Sequence, residues 1–460
     1  MSQPVFSSLN LKSTLLKNLD SLDYRFMTPI QARSLPPVLE GKDVIAQAKT
    51  GSGKTAAFGL GLLEKLDVKR YRVQSLVLCP TRELADQVAK ELRRLARAIH
   101  NIKIITLCGG VPLGPQIGSL EHGAHIVVGT PGRIEEHLRK NTLKLIDLNI
   151  LVLDEADRML DMGFQASLDA IISRMPRQRQ TLLFSATYPE QISSMAKRIM
   201  IRPVMVQVDS THDSHSIRQH FFKFEQNKNR LAALRLLLLK YRPGSALVFC
   251  NTRRETGEVA DELRSDGFSA LALHGDLEQR ARDQTLVRFS NKSASILVAT
   301  DVAARGLDID SLDAVINYQL ARDVEVHIHR IGRTGRAGSK GQAFTLYSEK
   351  EGYKIERLEE YLQQKIEPED LPPFSLLEKR AYKATMATLQ IDGGKRQKVR
   401  PGDILGALTG TNGIAGKQVG KIDVFDNCCY VAVSRDAAKP AFRKLSEGKL
   451  KGRSFRVRRI

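Results

Sequence analysis

The 460-residue sequence predicts an α/β protein that has two parallel-sheet domains in tandem and a small α+β domain after them. Short runs of Val, Ile and Leu alternate with amphipathic stretches, which is typical of buried parallel strands separated by helices. The pattern pauses in a polar stretch near residue 209 and then restarts, which indicates two such domains. Near residue 366 prolines interrupt it, and the rest of the chain is strongly basic.

The predicted strands lie in two sets. They are Ser75–Cys79, His125–Val128, Ile150–Leu153 and Thr181–Phe184 in the first domain, and Ser245–Cys250, Ala270–Leu273, Ser295–Ala299, Ala314–Asn317 and Gly341–Tyr347 in the second. We therefore divide the chain into a first domain (1–208), a hinge (209–218), a second domain (219–365), a linker (366–395) and a third domain (396–460). The hinge is predicted from the polar run D-S-T-H-D-S-H-S, which has no periodicity.

The third domain is predicted to follow the order β-α-β-β-α-β. Its strands are expected near Asp403–Ala407, Val419–Phe425, Cys429–Val433 and Phe455–Arg459, and its helices near Gly410–Gly416 and Ala437–Glu447. The linker before it contains a helix-compatible stretch, Leu376–Leu389.

Charge favours a polyanionic partner. The chain has 71 Lys and Arg against 51 Asp and Glu, a formal charge of +20. Residues 396–460 alone carry 15 Lys and Arg against 5 Asp and Glu, which is half of that surplus. Nucleic acid is the partner that such a basic segment favours, although a solvated basic surface has the same composition. With 42% hydrophobic residues the chain is not of the disordered class.

Composition also speaks against several other classes. The five cysteines show no spacing typical of a disulfide framework or of zinc, so no structural metal is expected. The N-terminal residues do not resemble a secretory signal, and no apolar run approaches the length of a membrane span. We therefore predict a cytoplasmic protein without a membrane partner.

A phosphate-binding loop is the strongest single motif. The run A-K-T-G-S-G-K-T follows an apolar strand-like segment and precedes a helix-like one, which is the P-loop context with alanine in place of the first glycine. Its predicted nucleotide-binding residues are Ala48, Lys49, Thr50, Gly51, Ser52, Gly53, Lys54 and Thr55. Lys54 is expected to reach the β- and γ-phosphates and Thr55 to ligate Mg²⁺, so the predicted cofactors are ATP and Mg²⁺.

Two acidic residues that follow a predicted strand complete the hydrolytic site. In I-L-V-L-D-E-A-D, Asp154 is the predicted Mg²⁺ partner and Glu155 the predicted general base. Two acids after a strand are, by themselves, also a common helix N-terminal pattern. Together with the P-loop they indicate catalysis, with Lys54 and Glu155 as catalytic residues.

The segment D-E-A-D resembles the signature of the DEAD-box ATP-dependent RNA helicases. Other motifs similar to those of the family occur in order: F-M-T-P-I-Q, P-T-R-E-L, G-G, T-P-G-R and S-A-T, then V-F-C-N-T, Q-R-A-R, T-D-V-A-A-R-G-L-D and H-R-I-G-R-T-G-R. The resemblance implies two RecA-like domains and RNA-stimulated ATP hydrolysis. It also implies that ATP and RNA both favour a closed state, so that short duplexes are unwound locally.

The resemblance assigns roles to further residues. Gln31 is expected at the adenine and Asp308 at the ribose, and Thr28 is expected to be a further nucleotide-binding residue. Phe6 is expected either near the base or simply in the core. Ser185 and Thr187 are expected to couple hydrolysis to RNA binding, and Arg333 and Arg336 to act as catalytic arginine fingers on the γ-phosphate. The expected RNA contacts are Arg82, Gly110, Thr130 and Arg133 in the first domain, and Thr252, Arg282, Thr300 and Arg305 in the second.

The third domain resembles an RNA-recognition-motif fold that lacks most stacking aromatics, because only Tyr430 stands in the segment expected to carry them. RNA is therefore expected at exposed basic residues, namely Lys395, Arg396, Lys398, Arg400, Lys449, Lys451 and Arg453. A DEAD-box core with such a domain is similar to the bacterial DbpA-like subfamily, which implies anchoring on structured 23S ribosomal RNA in large-subunit precursors. Nonspecific RNA binding by this domain, a DNA translocase and a non-enzymatic assembly scaffold are the alternatives.

Overall fold

The computed structural model describes residues 4–48, 51–208, 217–224, 230–304, 312–335 and 341–460. These residues form two compact units, one built from the residues up to 208 and the other from those after 216. The first unit is the first domain. The second unit contains the second and third domains.

The first domain alternates strands and helices. Its elements are α1 (Ser13–Ser21), α2 (Pro29–Leu39), β1 (Val44–Gln47), α3 (Lys54–Lys65), β2 (Ser75–Leu78), α4 (Arg82–Leu95), β3 (Ile104–Leu107), α5 (Gly114–Glu121), β4 (Ile126–Gly129), α6 (Pro131–Arg139), β5 (Ile150–Asp154), α7 (Ala156–Asp161), α8 (Gln165–Ile172), β6 (Gln180–Ser185), α9 (Glu190–Ile199) and β7 (Val204–Gln207). The strands form one parallel sheet in the order β3-β4-β2-β5-β6-β1-β7.

Helices cover both faces of this sheet. Along β1, Val44 and Ala46 belong to one core cluster and Ile45 belongs to the other. The strands therefore bury side chains in both directions, which is why they appear in the sequence as continuous apolar runs.

The second domain has the same architecture. Its elements are β8 (Ile217–Phe224), α10 (Arg230–Tyr241), β9 (Ala246–Phe249), α11 (Arg253–Ser265), β10 (Ala270–Leu273), α12 (Gln279–Ser290), β11 (Ile296–Ala299), α13 (Asp301–Ala304), β12 (Ala314–Asn317), α14 (Val324–Ile331), β13 (Gly341–Ser348) and α15 (Gly352–Leu362). Its parallel sheet has the order β10-β11-β9-β12-β13-β8.

All nine strands predicted for these two domains are present, and none of their ends differs from the prediction by more than one residue. The prediction missed β3, β7 and β8. The predicted hinge extended to residue 218, but β8 already begins at Ile217; residues 209–216 lie outside the described ranges. The β8 segment I-R-Q-H-F-F-K-F was missed because polar residues interrupt its apolar positions.

The third domain is a four-stranded antiparallel sheet with two helices. Its elements are β14 (Met386–Ile391), α16 (Pro401–Thr409), β15 (Val419–Val424), β16 (Cys429–Ser434), α17 (Ala438–Glu447) and β17 (Val457–Arg459). The strand order is β15-β16-β14-β17. The predicted order β-α-β-β-α-β is therefore present, but its first two elements lie elsewhere in the sequence.

The start of the third domain corrects three predictions. The predicted linker and its helix-compatible stretch overlap β14, so the domain begins ten residues before residue 396. Residues 403–407, predicted as a strand, lie within α16, and the predicted helix 410–416 is not one. The signals for α16 are Pro401 at its first position and Asp403, whose Oδ2 accepts a 2.8 Å hydrogen bond from Arg400 N.

The sheet of the third domain packs against the second domain. Thr388 and Gln390 are buried although polar, because Thr388 Oγ1 lies 2.9 Å from Asn291 Nδ2 and Gln284 Nε2 donates to Gln390 Oε1 at 3.1 Å. The alternate residues Ala387, Leu389 and Ile391 enter the domain's own core. Thus β14 is buried on both faces, and we call this contact between the two domains the seam.

The residues between the second and third domains also pack on the second domain, since Leu371, Leu377 and Tyr382 lie against its core. Separately, none of the helices in the described ranges combines the length and the apolar character that crossing a membrane requires.

Candidate ATP site and RNA-binding surfaces

The predicted nucleotide residues of the first domain meet at the carboxyl ends of three neighbouring strands. The sheet order places β1 between β6 and β7, with β5 next to β6. Ala48 N, just after β1, donates to Ser185 O at the end of β6 at 3.0 Å. Ligands of open parallel sheets bind at this edge.

The P-loop turns on glycines and leads into α3. Gly51 and Gly53 have φ values of 81° and 90°, a conformation that glycine adopts without strain. A Cβ on Gly53 would lie 2.4 Å from Gln31 Nε2. The loop leaves the N-terminal amides of α3 at this edge, which suits phosphate. Lys49 and Thr50 lie outside the described residues.

Gln31 supports the loop from behind. Its Nε2 donates to Gly53 O at 3.0 Å, and its Oε1 accepts from Thr28 N at 2.9 Å at the start of α2. The side chain is buried. The structure thus ties the residue predicted to read adenine directly to the residue that precedes Lys54.

Lys54 and Asp154 form the buried electrostatic centre of the site. Lys54 Nζ donates to Ala48 O at 3.0 Å. Burial raises the pKa of Asp154 to about 7, although Lys54 opposes the shift; Glu155 adds to it. An additional cation would favour the ionised carboxylate and lower that pKa.

Several buried oxygen atoms at this edge have no hydrogen-bond partner among the described residues. They are Asp154 Oδ1, Ser52 Oγ and Thr28 Oγ1. Unsatisfied buried polar atoms are costly, so their accumulation at one place indicates a ligand site. A carboxylate oxygen and hydroxyls are also the donors that Mg²⁺ prefers, and Thr55, the second residue of α3, adds another hydroxyl.

Glu155 stands at a strained backbone position. It has φ 53° and ψ 52° between β5 and α7, a left-handed conformation that is rare for a residue with a side chain. Its side chain is buried. Such strain is concentrated at functional sites, and here it places a carboxylate next to Asp154.

Ser185 and Thr187 contact the D-E-A-D segment. Thr187 N and Thr187 Oγ1 both donate to Asp157 Oδ2 at 3.0 Å, and Asp157 N donates to Ser185 Oγ at 3.4 Å. These hydrogen bonds connect the D-E-A-D segment to the end of β6.

Phe6 is a core residue. It is buried in the main core cluster, with its ring edge-on to Tyr24 at a centroid distance of 6.0 Å. Of the two expectations for Phe6, the structure favours the core position.

The predicted RNA residues of the first domain follow its strands. Arg82 begins α4 after β2, and its Nη1 is buried without a hydrogen-bond partner among the described residues. Gly110 has a φ of 76° after β3, and Thr130 precedes α6 after β4. Because β3, β4 and β2 are neighbours, these residues share one part of the sheet edge.

Arg133 is bound within the protein. Its Nη1 donates to Gln116 Oε1 at 2.9 Å and its Nη2 to Val111 O at 3.0 Å, while its Nε lies 3.1 Å from Glu136 Oε2. Arg133 therefore shapes the loop that carries Gly110.

In the second domain, Thr252 and Thr300 cap helices after neighbouring strands. Thr252 Oγ1 accepts from Glu255 N at 3.2 Å, and Thr300 Oγ1 accepts from Ala303 N at 3.3 Å. Arg282 Nη2 donates to Ala303 O at 2.9 Å, so α12 is tied to the short helix α13.

Arg330 is an important residue that the sequence reasoning missed. It is almost fully buried and forms a bidentate pair with Asp301, with nitrogen–oxygen distances of 2.6 and 2.7 Å. It also donates to Asn251 Oδ1 at 3.0 Å and to Gln319 O at 2.7 Å. It thereby joins three of the family-like motifs. The sequence does not show which arginine of H-R-I-G-R-T-G-R is buried, and this is why Arg330 was not predicted.

Arg333 lies in the turn after α14 and is half-buried. Arg305, Asp308 and Arg336 lie outside the described residues.

His327, on α14, is expected to make the second domain sensitive to acid. Its Nε2 lies 3.3 Å from Gln219 Oε1, and its Nδ1 is buried without a partner among the described residues. Burial, aided by Arg330, lowers the pKa of His327 to about 3. Between pH 6.5 and 3 the unfolded chain binds a proton there that the folded chain excludes. Stability is therefore lost as pH falls through this range, by at most about 1.4 kcal/mol per unit.

We expect the melting temperature of the second unit, followed by circular dichroism, to fall between pH 7.5 and 5.5. His327→Asn should flatten this dependence even though it lowers stability at pH 7.5. An unchanged pH dependence in the variant would show that another group is responsible.

The basic residues predicted in the third domain meet at one end of its sheet. Lys451 Nζ, in the loop before β17, donates to Lys398 O at 3.0 Å and lies 3.2 Å from Asp403 Oδ2. The seven predicted residues, Lys395, Arg396, Lys398, Arg400, Lys449, Lys451 and Arg453, are all exposed. We call this group the basic patch.

Tyr430 cannot stack on a base in this structure. Its side chain is buried on the sheet, edge-on to Phe425 at a centroid distance of 5.6 Å. The sheet surface around Thr388 and Gln390 lies in the seam. That RNA binds at the basic residues rather than on this face of the sheet stays a prediction.

Comparison with known proteins covers all three domains. Residues 28–195 match the DEAD/DEAH box helicase family, residues 228–338 the helicase conserved C-terminal domain and residues 388–459 the DbpA RNA binding domain. The chain is 54% identical over 454 residues to the ATP-dependent RNA helicase DbpA of Escherichia coli strain K12, covering 98% of this chain and 99% of that protein. It is 42% identical to the DEAD-box ATP-dependent RNA helicase CshA of Bacillus cereus, over 80% of this chain and 70% of that one.

Solved structures agree. Saccharomyces cerevisiae Dbp5 bound to RNA and ADP BeF3 matches with a TM-score of 0.72 and 28% identity, over 83% of this chain and all of that one. The DEAD-box helicase Mss116 bound to ssRNA and UDP-BeF matches with a TM-score of 0.72 and 27% identity, over 80% and 79% of the two chains. With a P-loop, a D-E-A-D segment tied to S-A-T and a basic RNA-binding domain, the chain belongs to the DbpA-like DEAD-box ATP-dependent RNA helicases.

Proposed function

We propose that this helicase locally unwinds short RNA duplexes during assembly of the large ribosomal subunit, in the cytoplasm, while its third domain holds structured 23S ribosomal RNA. The observation that carries the proposal is the basic patch, in which two loops of the third domain present seven exposed cations at one end of the sheet. This arrangement suits recognition of phosphates and RNA shape rather than of stacked bases. The similarity to Escherichia coli DbpA along nearly the whole chain supports the assignment.

For ATP, the proposed roles divide by position. Lys54 and the P-loop amides hold the phosphates, and Thr28 and Gln31 face the adenine. Thr55 and Asp154 would hold Mg²⁺, which when bound neutralises charge on the phosphate oxygens. Glu155 accepts the proton of the attacking water. Asp308, Arg333 and Arg336 are proposed to act from the second domain, at the ribose and the γ-phosphate.

For RNA, the core residues are proposed to position the sugar-phosphate backbone. These residues are Arg82, Gly110 and Thr130, with Arg133 acting through its loop, and Thr252, Arg282, Thr300 and Arg305. The contacts of Ser185 and Thr187 with Asp157 support their proposed coupling role, since any shift of that segment on hydrolysis reaches them through hydrogen bonds. ATP and RNA would then each strengthen the binding of the other.

The test compares ATP turnover stimulated by 23S ribosomal RNA, 16S ribosomal RNA and single-stranded DNA. We expect 23S RNA to stimulate best, and deletion of residues 386–460 to remove this preference while slow RNA-stimulated turnover remains. The deletion starts at β14, because a deletion that starts at residue 396 would keep β14 but remove β16, the strand it pairs with.

A milder variant, Lys395→Gln with Arg396→Gln, should lower the apparent affinity for 23S RNA by about tenfold at low salt. The matched control, Lys350→Gln with Arg357→Gln in the second domain, removes equal charge outside the patch. Equal stimulation by DNA, or an unchanged preference in the truncated protein, would contradict the proposal.

A further inference from the structure

A second group of cations lies at the seam, away from the basic patch. A pocket of about 270 Å³ opens there, lined by residues of both domains. Its lining includes four arginines, Arg264 and Arg288 from the second domain and Arg435 and Arg459 from the third, but no Asp or Glu.

The pocket is built on a firm contact. Besides the contacts of Thr388 and Gln390 already described, Ser293 Oγ lies 2.7 Å from Thr388 Oγ1, and Met386 N donates to Lys292 O at 3.2 Å. The buried side chains Asn291, Ser293 and Thr388 are thus all hydrogen-bonded across the seam. The arginines on the two sides are consequently held at a defined separation.

The charges in the pocket are only partly compensated, because Arg264 is ion-paired with Asp261 on its own helix whereas Arg288 is not fully satisfied. Arg288 Nε is buried and has no hydrogen-bond partner among the described residues. Burial lowers the pKa of Arg288, and the charge of Arg264 lowers it further, so the two guanidinium groups repel each other. Arg435 Nε donates to Ala384 O at 2.8 Å, which fixes its position. A bound anion would relieve this repulsion and supply the missing acceptor.

From this pocket we propose that the seam is a second RNA site, in which one backbone phosphate is held by arginines from the second and third domains together. The volume suits a phosphodiester with its sugar rather than a large ligand. Guanidinium groups are the side chains best matched to phosphate oxygens. The third domain, which lines one side of the pocket, matches an RNA-binding domain. RNA is therefore favoured over other ligands that contain phosphate.

The pocket and the basic patch lie at opposite ends of β14. Met386 and Ala387, at its start, line the pocket, whereas the residues just after its end enter the patch. Six strand residues span about 20 Å. An RNA that occupies both sites must therefore extend along the third domain for about that distance, which fixes its direction relative to the second domain. Anchoring would then orient the substrate as well as retain it.

This inference rests on the proposed function only in that the third domain binds RNA. The test therefore uses a stem–loop RNA of arbitrary sequence with a single-stranded extension, in the full-length protein. Arg264→Gln and Arg459→Gln remove one charge from each side of the seam; both positions are exposed, so folding should be retained. Arg357→Gln on α15, which packs near the opposite edge of the sheet of the second domain, is the matched control.

We expect each seam variant to weaken RNA binding about fivefold at low salt and to reduce the salt slope by about 1. The loss of RNA affinity in the double variant should be much smaller than the product of the losses in the two single variants, because both arginines hold one phosphate. Arg264→Lys should recover part of the affinity, and the melting temperatures should stay unchanged.

If the losses of RNA affinity in the two single variants multiply in the double variant, the two arginines act as separate surface charges and the inference is overturned. Losses of affinity no larger than that of Arg357→Gln would overturn it as well. If the seam variants lose binding of a phosphate analogue but keep the RNA affinity of the wild type, the pocket is a site for free phosphate. That result would also overturn the inference. If instead the seam variants behave as expected but no preference for 23S RNA is found, the proposed function fails while this site stands.

Discussion

Replacing Glu155 by glutamine is expected to lower RNA-stimulated ATP turnover by a factor of about 10² to 10⁴ while ATP still binds. The amide has nearly the shape of the carboxylate, so it can occupy the left-handed position between β5 and α7. It cannot accept a proton from water, which is the step proposed for Glu155. Lys54 and the P-loop, which are proposed to hold the phosphates, are not altered.

Phosphate release at saturating RNA measures the turnover, and the fluorescence of a labelled ATP analogue measures binding. Glu190→Gln is the control, because Glu190 is an exposed acid at the start of α9. Retained turnover in Glu155→Gln would exclude this residue as the general base. If ribosome assembly also proceeded normally with that variant in the cell, the chain would act as a scaffold rather than as a motor.

Replacing Arg330 by glutamine is expected to destabilise the second domain by about 3 kcal/mol. The change leaves the Asp301 carboxylate without its bidentate partner and removes the hydrogen bonds to Asn251 and Gln319. The value is at the lower end for broken buried pairs, because the Asp301 side chain is one quarter exposed and water can partly replace the lost partner.

Urea unfolding followed by circular dichroism measures this loss. The double variant Arg330→Gln with Asp301→Asn should recover part of the stability, since no carboxylate is then left unpaired. Arg254→Gln, which breaks the exposed pair with Glu258, is the control and should leave unfolding unchanged. A loss in Arg330→Gln that is no larger than in this control would show that the buried network does not hold the domain together.

Local signals were enough to predict a candidate nucleotide site. The P-loop and the D-E-A-D segment are short, and their chemistry depends on neighbours in the chain, so Lys54, Asp154 and Glu155 could be proposed as site residues without a fold. The same holds for the two parallel sheets, because strands buried on both faces leave continuous apolar runs. Strands interrupted by polar residues, such as β8, left no such run and were missed.

The third domain shows where local signals mislead. β14 alternates apolar with polar residues, and its polar residues are buried only because the second domain covers them. From sequence the same residues fitted a helix in a linker, and the strand was sought instead in α16. The partner across the seam, which is distant in sequence, decides the assignment.

By itself the sequence determined the order of the domains, the phosphate-binding motif and the excess of positive charge, because each depends on residues that are contiguous in the chain. Only the tertiary structure decided which arginine is a buried hub and which lines a pocket, as with Arg330 and Arg288. It also decided that Arg133 is held by its own loop and that Tyr430 is covered. The physical reason is that burial and hydrogen-bond partners depend on residues far apart in the chain, whereas a motif records only its neighbours.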